Sequence, residues 1–226
     1  MPIDLRSFGR RHGRKLSPRQ DALLASLLPR FALDLAVPAP DPLEPLFPDA
    51  PRETWLEIGF GGGEHLVWQA NRNRDVGLIG CEPYEDGVVK VLSAIDSGQL
   101  ANVRLHADDA RAVLRWLPEA SIARAFVLFP DPWPKKKHRK RRLVGTATLG
   151  LLARVMRPGA ELRIGTDIGD YARTILIAMQ ATPAFRWTAT GPKDWRVRPD
   201  DWPPTRYEQK AEREGRRSCY FRFERV

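Results

Sequence analysis

From residue 54 onward the chain alternates between short apolar runs and stretches with helical spacing. Thr54-Trp-Leu-Glu-Ile-Gly59 is one such run; it breaks at a cluster of glycines, after which Val67 and Ala70 mark a helix. Val76-Gly-Leu-Ile-Gly-Cys-Glu82 is a second run, followed by Val88, Val89, Val91 and Leu92 at helical positions. Residues 102–106 and 122–129 read as third and fourth strands, and a helix over 149–156 precedes a fifth strand at 160–165 and a helix over 171–179. Short apolar runs between helices predict βαβ units and a parallel sheet covered on both faces. The expected fold class is therefore α/β and doubly wound. Two further runs, 185–188 and 218–223, are separated by loops rich in Pro and Trp and predict a hairpin that completes the sheet edge with an antiparallel strand.

The pattern before residue 53 is different. Ser17-Pro18-Arg19-Gln20 predicts a helix start, with Ser as the cap, Pro at the first helical position and Gln three residues after the cap. Leu23, Leu24, Leu27 and Leu28 give that helix an apolar stripe, and six prolines from Pro38 to Pro51 then exclude further helix. The chain is divided accordingly into a basic arm with a helix and Pro-rich linker, 1–52, and one domain, 53–226.

Composition adds the partner. Lys plus Arg number 37 and Asp plus Glu 28, a formal net charge of +9 over 226 residues, which points to an anionic partner such as nucleic acid or an acidic membrane face. Arg6, Arg10, Arg11, Arg14, Lys15 and Arg19 concentrate positive charge in the arm. Two cysteines, Cys81 and Cys219, cannot build a disulfide framework or a cysteine-based zinc site, and the four histidines form no HExxH pair, so no metal is expected. The N-terminus lacks the apolar stretch of a signal peptide and no apolar run reaches 18 residues, so a cytoplasmic protein without a membrane partner is expected.

The glycine cluster raises the question of a cofactor. Strand, glycine-rich turn and helix form the layout of a nucleotide-binding unit, but Gly59-Phe60-Gly61-Gly62-Gly63-Glu64 has Glu64 where a dinucleotide fingerprint needs its third glycine. That carboxylate would repel a pyrophosphate at the helix N-terminus, and Glu57 ahead of the turn suits a cationic ligand. S-adenosylmethionine carries a sulfonium and an ammonium and no phosphate, and it fits these demands. Gly59, Gly61 and Gly63 would shape its turn. Glu82 ends strand two, where a carboxylate accepts ribose hydroxyls in doubly wound folds. Asp108-Asp109 end strand three, where an adenine edge would lie, although Asp109 can equally cap the following helix.

Strand four ends in Phe129-Pro130-Asp131-Pro132-Trp133-Pro134. Ligands in this architecture bind outside the carboxyl ends of the strands, which places Asp131 beside the methyl donor as the catalytic candidate and offers the Trp133 face to a base. Lys135-Lys-Lys-His-Arg-Lys-Arg-Arg142 follows at once, seven cations in eight residues. Such a run is usually a solvated loop; attached to this turn, it reads as a phosphate-binding loop beside the reacting base.

Four blocks together resemble the bacterial tRNA (guanine-N7-)-methyltransferases: Leu-Glu-Ile-Gly-Phe-Gly-Gly-Gly, Phe-Pro-Asp-Pro-Trp-Pro-Lys with its basic tail, Gly-Thr-Asp167, and Thr205-Arg206-Tyr207-Glu208. The resemblance covers most of the chain from about residue 55. It implies a Rossmann-like class I S-adenosylmethionine-dependent methyltransferase, with donor binding by Glu57, Glu82, Asp109 and Asp131. It further implies tRNA or guanine contacts from Lys135, Asp167, Thr205, Arg206, Tyr207 and Glu208, and transfer to N7 of a variable-loop guanine by a monomer or homodimer. The chain departs from the family pattern at Pro134, where His is common, and in Thr-Arg-Tyr-Glu, where Thr-Lys-Phe-Glu is commoner. On the residues alone, an enzyme of the same fold acting on another RNA, another nucleobase atom or a small molecule stays open, as does an RNA-binding module without catalysis.

Overall fold

A computed structural model describes residue 9, residues 11–13 and residues 15–226. Of the basic opening, Arg6, Arg10 and Arg14 lie outside the described residues. The described residues form a seven-stranded sheet in the order β3-β2-β1-β4-β5-β7-β6. Its strands are β1 (Glu53–Ile58), β2 (Val76–Cys81), β3 (Val103–His106), β4 (Ile122–Leu128), β5 (Met156–Thr166), β6 (Phe185–Trp187) and β7 (Cys219–Arg225). β1 through β5 pair in parallel, and β7 runs antiparallel to both β5 and β6. The antiparallel strand expected at the edge thus lies one place inside it, and β6 forms the edge.

The helices are α1 (Pro18–Ser26), α2 (Leu28–Phe31), α3 (Glu64–Arg72), α4 (Glu85–Gly98), α5 (Ala110–Trp116), α6 (Thr146–Val155), α7 (Gly169–Gln180), α8 (Lys193–Arg196) and α9 (Arg206–Arg213). They cover both faces of the sheet. Because strand side chains alternate between faces, Leu56 and Ile58 of β1 join one apolar cluster, with Val127, Leu149, Ile164 and Ile175. Trp55 joins the other, with Leu66, Val91, Phe126 and Trp202. Glu57 belongs by the same alternation to the Trp55 face, over which α3 lies. With apolar runs buried on both sides, β1 cannot show that alternation in its sequence.

The segment before β1 is packed on this frame. Ser17 and Gln20 form the expected capping box, each side chain bonding the other's backbone N–H (3.4 and 2.9 Å). Leu27, Leu33, Leu43 and Phe47 are buried in the two clusters. Ala32 bridges Leu105 beside β3, where the Leu33 N–H donates to the Leu105 carbonyl (2.9 Å), and Trp116 Nε1 donates to the Val37 carbonyl (2.6 Å). The exposed edge of β3 is thereby covered.

Candidate active site

The order 3-2-1-4-5 reverses direction between β1 and β4, and at such a switch point the strand ends diverge and leave a crevice. A cavity of about 550 Å³ lies there, lined from β1 by Ile58, Gly59 and Gly61, from β2 by Glu82, from β3 by Asp108 and Asp109, and from β4 by Phe129 and Asp131. That volume falls within the roughly 300–1,000 Å³ of small-molecule sites.

The glycine turn has the backbone that glycine alone adopts cheaply: Gly59, Gly61 and Gly63 have φ of 74°, 55° and 80°. A side chain on Gly63 would also sit 2.1 Å from Cγ2 of Val91 on α4, so the turn keeps α3 and α4 close. Gly61 is held from two sides. Its N–H donates to Glu82 Oε2 (2.7 Å), and its Cα faces the Tyr207 ring.

Glu82 is buried, and its other oxygen accepts the Tyr84 N–H (2.9 Å). Burial raises its pKa, and although the two backbone N–H groups pull it down, the nearby charges of Asp131 and Glu57 add to the rise. Two backbone donors fill half of the lone-pair positions of this carboxylate, which leaves acceptors for a ligand diol.

Asp109 has a different task. Its Oδ1 accepts the Arg111 backbone N–H (2.9 Å) and Nε (2.8 Å), and its Oδ2 takes Arg111 Nη2. Burial pushes its pKa up, but the Arg111 bonds outweigh this and the net shift is downward. Asp109 lines the cavity while its carboxylate caps α5, so a direct bond to the donor must compete with Arg111. Asp108 is likewise engaged, by Arg11 Nη2 (2.6 Å) and the Asp109 N–H (2.8 Å).

Asp131 makes no hydrogen bond to another described residue. Its carboxyl opens into the cavity, yet the surrounding turn desolvates it and raises its pKa above the usual aspartate range. The turn itself is strained. Phe129 and Trp133 are non-glycine residues with φ of 51° and 42°, a left-handed geometry that costs roughly 1–2 kcal/mol per residue. The Phe129 N–H donates to the Gly165 carbonyl (2.8 Å), which fixes the turn to β5. One face of Trp133, expected to be open to a base, is covered by the Arg141 guanidinium 4.9 Å from the ring centroid.

The basic run folds as a short 3-10 helix, Lys136–Arg141. Lys135, Lys136, Lys137 and Lys140 are exposed, with Lys135 outside the cavity wall. Arg142 is a structural residue: it is buried over the Tyr171 ring, donates to the Pro132 carbonyl (2.8 Å), and pairs with Asp170 and Thr174. Arg139 also reaches Asp170 (2.8 Å), so α7 anchors the loop.

The C-terminal block divides in the same way. Thr205 is buried and caps α9 by accepting the Glu208 N–H (3.3 Å), and Glu208 is buried against the Tyr220 hydroxyl and Arg198 Nε (3.2 Å). Arg206 and Tyr207 line the cavity, where Arg206 Nε pairs with Glu64 Oε1 (2.9 Å) beside the glycine turn. Asp167 lies off the cavity and pairs with Arg216 Nε (2.6 Å). Glu57 also lies off the wall: it is buried, with Oε2 2.7 Å from Nδ1 of His65. Arg111 and Arg141, which line the cavity, were missed. Arg141 was at least inside the basic run, and Arg111 stands two residues after a cap position, where its N–H had to find a partner.

A family of putative methyltransferases matches residues 51–220. A tRNA (guanine-N(7)-)-methyltransferase of Chelativorans sp. is 48% identical over 219 residues, 97% of this chain and 94% of that protein. One of Brucella melitensis is 50% identical over 217 residues, 96% of this chain and 93% of that protein. The chain belongs to this tRNA (guanine-N(7)-)-methyltransferase family. Among solved structures, the 16S rRNA methyltransferase KamB aligns with a TM-score of 0.54 at 16% identity over 78% of this chain and 89% of that one. TrmN from Thermus thermophilus aligns at 0.55 and 15% identity over 78% of this chain and 45% of that one. These likenesses show the fold, that of the class I methyltransferases; three of the family's four blocks fall on its strand ends and the fourth opens α9. Among the described residues no helix is long and apolar enough to cross a membrane.

Proposed function

We propose that this chain transfers a methyl group from S-adenosylmethionine to N7 of a guanine in tRNA. The observation that carries the reading is the shared turn: the acid-walled cavity ends at Asp131, and the chain runs from there directly into the exposed cations of 135–140. A donor pocket and a phosphate-binding surface are thus joined by one strained segment. The names of the relatives support the same substrate.

The cavity fits the donor. Glu82 has spare acceptors for a ribose diol, Gly59 and Gly61 leave room for close approach, and the carboxylates of Glu82 and Asp131 face the space where a cationic ligand would lie. S-adenosylmethionine supplies a methyl on a sulfonium; N7 has an in-plane lone pair and no proton, so the transfer needs no general base. The residues agree, since no Ser–His or Cys–His pair faces the cavity among the described residues. With the donor and a guanine bound there, Asp131 would stabilise the positive charge that passes to the purine with the methyl group. Tyr207 and Arg206 border the space on the acceptor side, and Lys135 to Lys140 hold phosphates. Asp109, Asp167, Thr205 and Glu208 then serve mainly by holding the surfaces from which these groups act.

Incubation with bulk tRNA and methyl-labelled donor, followed by nucleoside analysis, tests this reading. The label is expected in 7-methylguanosine; label on another base atom, or only on ribosomal RNA, would replace the substrate assignment.

A further inference from the structure

Glu57 and His65 form a buried pair on the α3 face of the sheet, their side chains 3% and 1% exposed. His65 Nδ1 lies 2.7 Å from Glu57 Oε2, and on the far side of the ring Nε2 lies 3.1 Å from Gln69 Nε2. An amide nitrogen only donates, so the imidazole accepts at Nε2 and its proton sits on Nδ1, directed at the carboxylate. The amide is fixed in turn: Gln69 Nε2 also donates to the Asp201 carbonyl (3.0 Å), and the Asp201 carboxylate is held by both terminal nitrogens of Arg163 (2.9 and 2.8 Å). Phe126 packs edge-on against the ring at 4.6 Å. His65 and Gln69 stand four residues apart on α3, which stacks them on one helix face.

This chain of bonds spends one oxygen of Glu57. No hydrogen bond from a described residue reaches the other, although the side chain is almost wholly buried and stands immediately before Ile58 and Gly59 of the cavity wall. That oxygen is not sealed in the core: it keeps accessible surface and can accept from a ligand.

We propose that His65 is a positioning residue for the donor site. By donating from Nδ1 to one oxygen it locks the orientation of Glu57, so that the free oxygen receives the cationic end of S-adenosylmethionine. The proposal rests on Glu57 being a donor contact, as the family resemblance implies.

The test measures S-adenosylmethionine affinity by calorimetry for His65→Leu, His65→Asn, Gln69→Leu and Glu57→Gln, with unfolding temperature and tRNA affinity recorded for each. His65→Leu is expected to weaken donor binding about tenfold or more and leave tRNA binding within about twofold. His65→Asn, whose amide donates from nearly the place of Nδ1, should restore most of the loss. Gln69→Leu, which frees the ring and also gives up the bonds to the Asp201 carbonyl and from Asn73, should cost about threefold and serves where His65→Leu does not fold. In the parental protein the ring should show the Nδ1-protonated tautomer by nitrogen NMR. Two results overturn the proposal: an Nε2-protonated ring, or unchanged donor affinity in folded His65→Leu or Gln69→Leu while Glu57→Gln is weakened. Unchanged affinity in Glu57→Gln instead removes Glu57 from the donor site, and with it the premise.

Discussion

The two sides of the cavity are built on opposite principles. On the side of the glycine turn, where the donor is proposed to lie, the polar groups arrive already bonded: Glu82 by two backbone N–H groups, Asp109 by Arg111 and, just behind the wall, Glu57 by His65. They stand on strand ends or on the turn and cap that follow them, and the surrounding core prevents them from moving. On the side of the proposed acceptor, beyond the cavity wall, Lys135, Lys136, Lys137 and Lys140 stand in solvent on and beside a single 3-10 turn, which Arg142, Arg139 and Arg141 tie to its neighbours. A small ligand that must be held in line needs preorganised partners, because orientation supplies much of the acceleration. A polyanion is gripped through many exposed cations, none of which has to be placed closely.

The sharpest test of this contrast is Asp131, where the two sides meet. Asp131→Asn keeps the shape and removes the charge, and single-turnover rates are expected to fall about 10²–10³-fold, with both binding constants changed little. Desolvation raises the pKa of this carboxyl, so in the parental enzyme the rate should drop on acidification at a pH above the ordinary aspartate range. That acid limb should vanish in Asp131→Asn. A variant that turns over at the parental rate would make Asp131 a turn residue only.

Glu82→Ala should weaken donor binding by about 1.5–3 kcal/mol, the range for hydrogen bonds to a charged group, and leave tRNA binding alone. It should also alter the pH dependence of stability. With its folded pKa raised, Glu82 holds more protons folded than unfolded in the window above the ordinary carboxylate range, so it erodes stability as pH rises through that window. Denaturant titrations at stepped pH should show this erosion in the parental protein and lose it in the variant.

Arg142→Ala addresses the anchoring of the acceptor loop. Loss of its buried bonds to Pro132, Asp170 and Thr174 should cost about 1.5–3 kcal/mol of stability. Thermal unfolding measures that cost, and donor affinity should be retained in the folded variant. The smallest effect per residue belongs to Lys136, Lys137 and Lys140. Neutralising all three should flatten the log–log salt dependence of tRNA binding by up to ~2–3 units, about one per lost contact. An unaltered slope would move the RNA surface elsewhere.

The strands and most helices were legible because apolar runs must be buried. What was not legible came from distance and from doubled roles. Asp109 reads both as a cofactor carboxylate and as a cap, and the cap is what holds it, since the Arg111 N–H had no other partner. Thr205-x-x-Glu208 has the spacing of a capping box as well as of the family's substrate motif, and the structure uses Thr205 as the cap and buries Glu208. The basic run reads as one surface, yet Arg142 is drawn inward by Asp170 and Tyr171, partners on a helix that a local pattern cannot associate with it. The direction of Glu57 was hidden because β1 is buried on both faces. The placement of β7 between β5 and β6 depends on pairing across a long stretch of chain, which no local periodicity records.

That placement sets an order of events as the chain leaves the ribosome. β5 keeps an open edge until everything from Asp167 to Ser218 has been made, and only then does β7 pair with it. During that interval the nascent sheet presents unpaired N–H and C=O groups, the feature that recruits other chains into aggregates. β7 also carries Tyr220, whose hydroxyl meets Glu208 of α9. Arg206 and Tyr207 therefore settle beside the glycine turn only once β7 has paired, so the wall they supply closes on a cavity whose other sides, at the ends of β1 to β4, are already made.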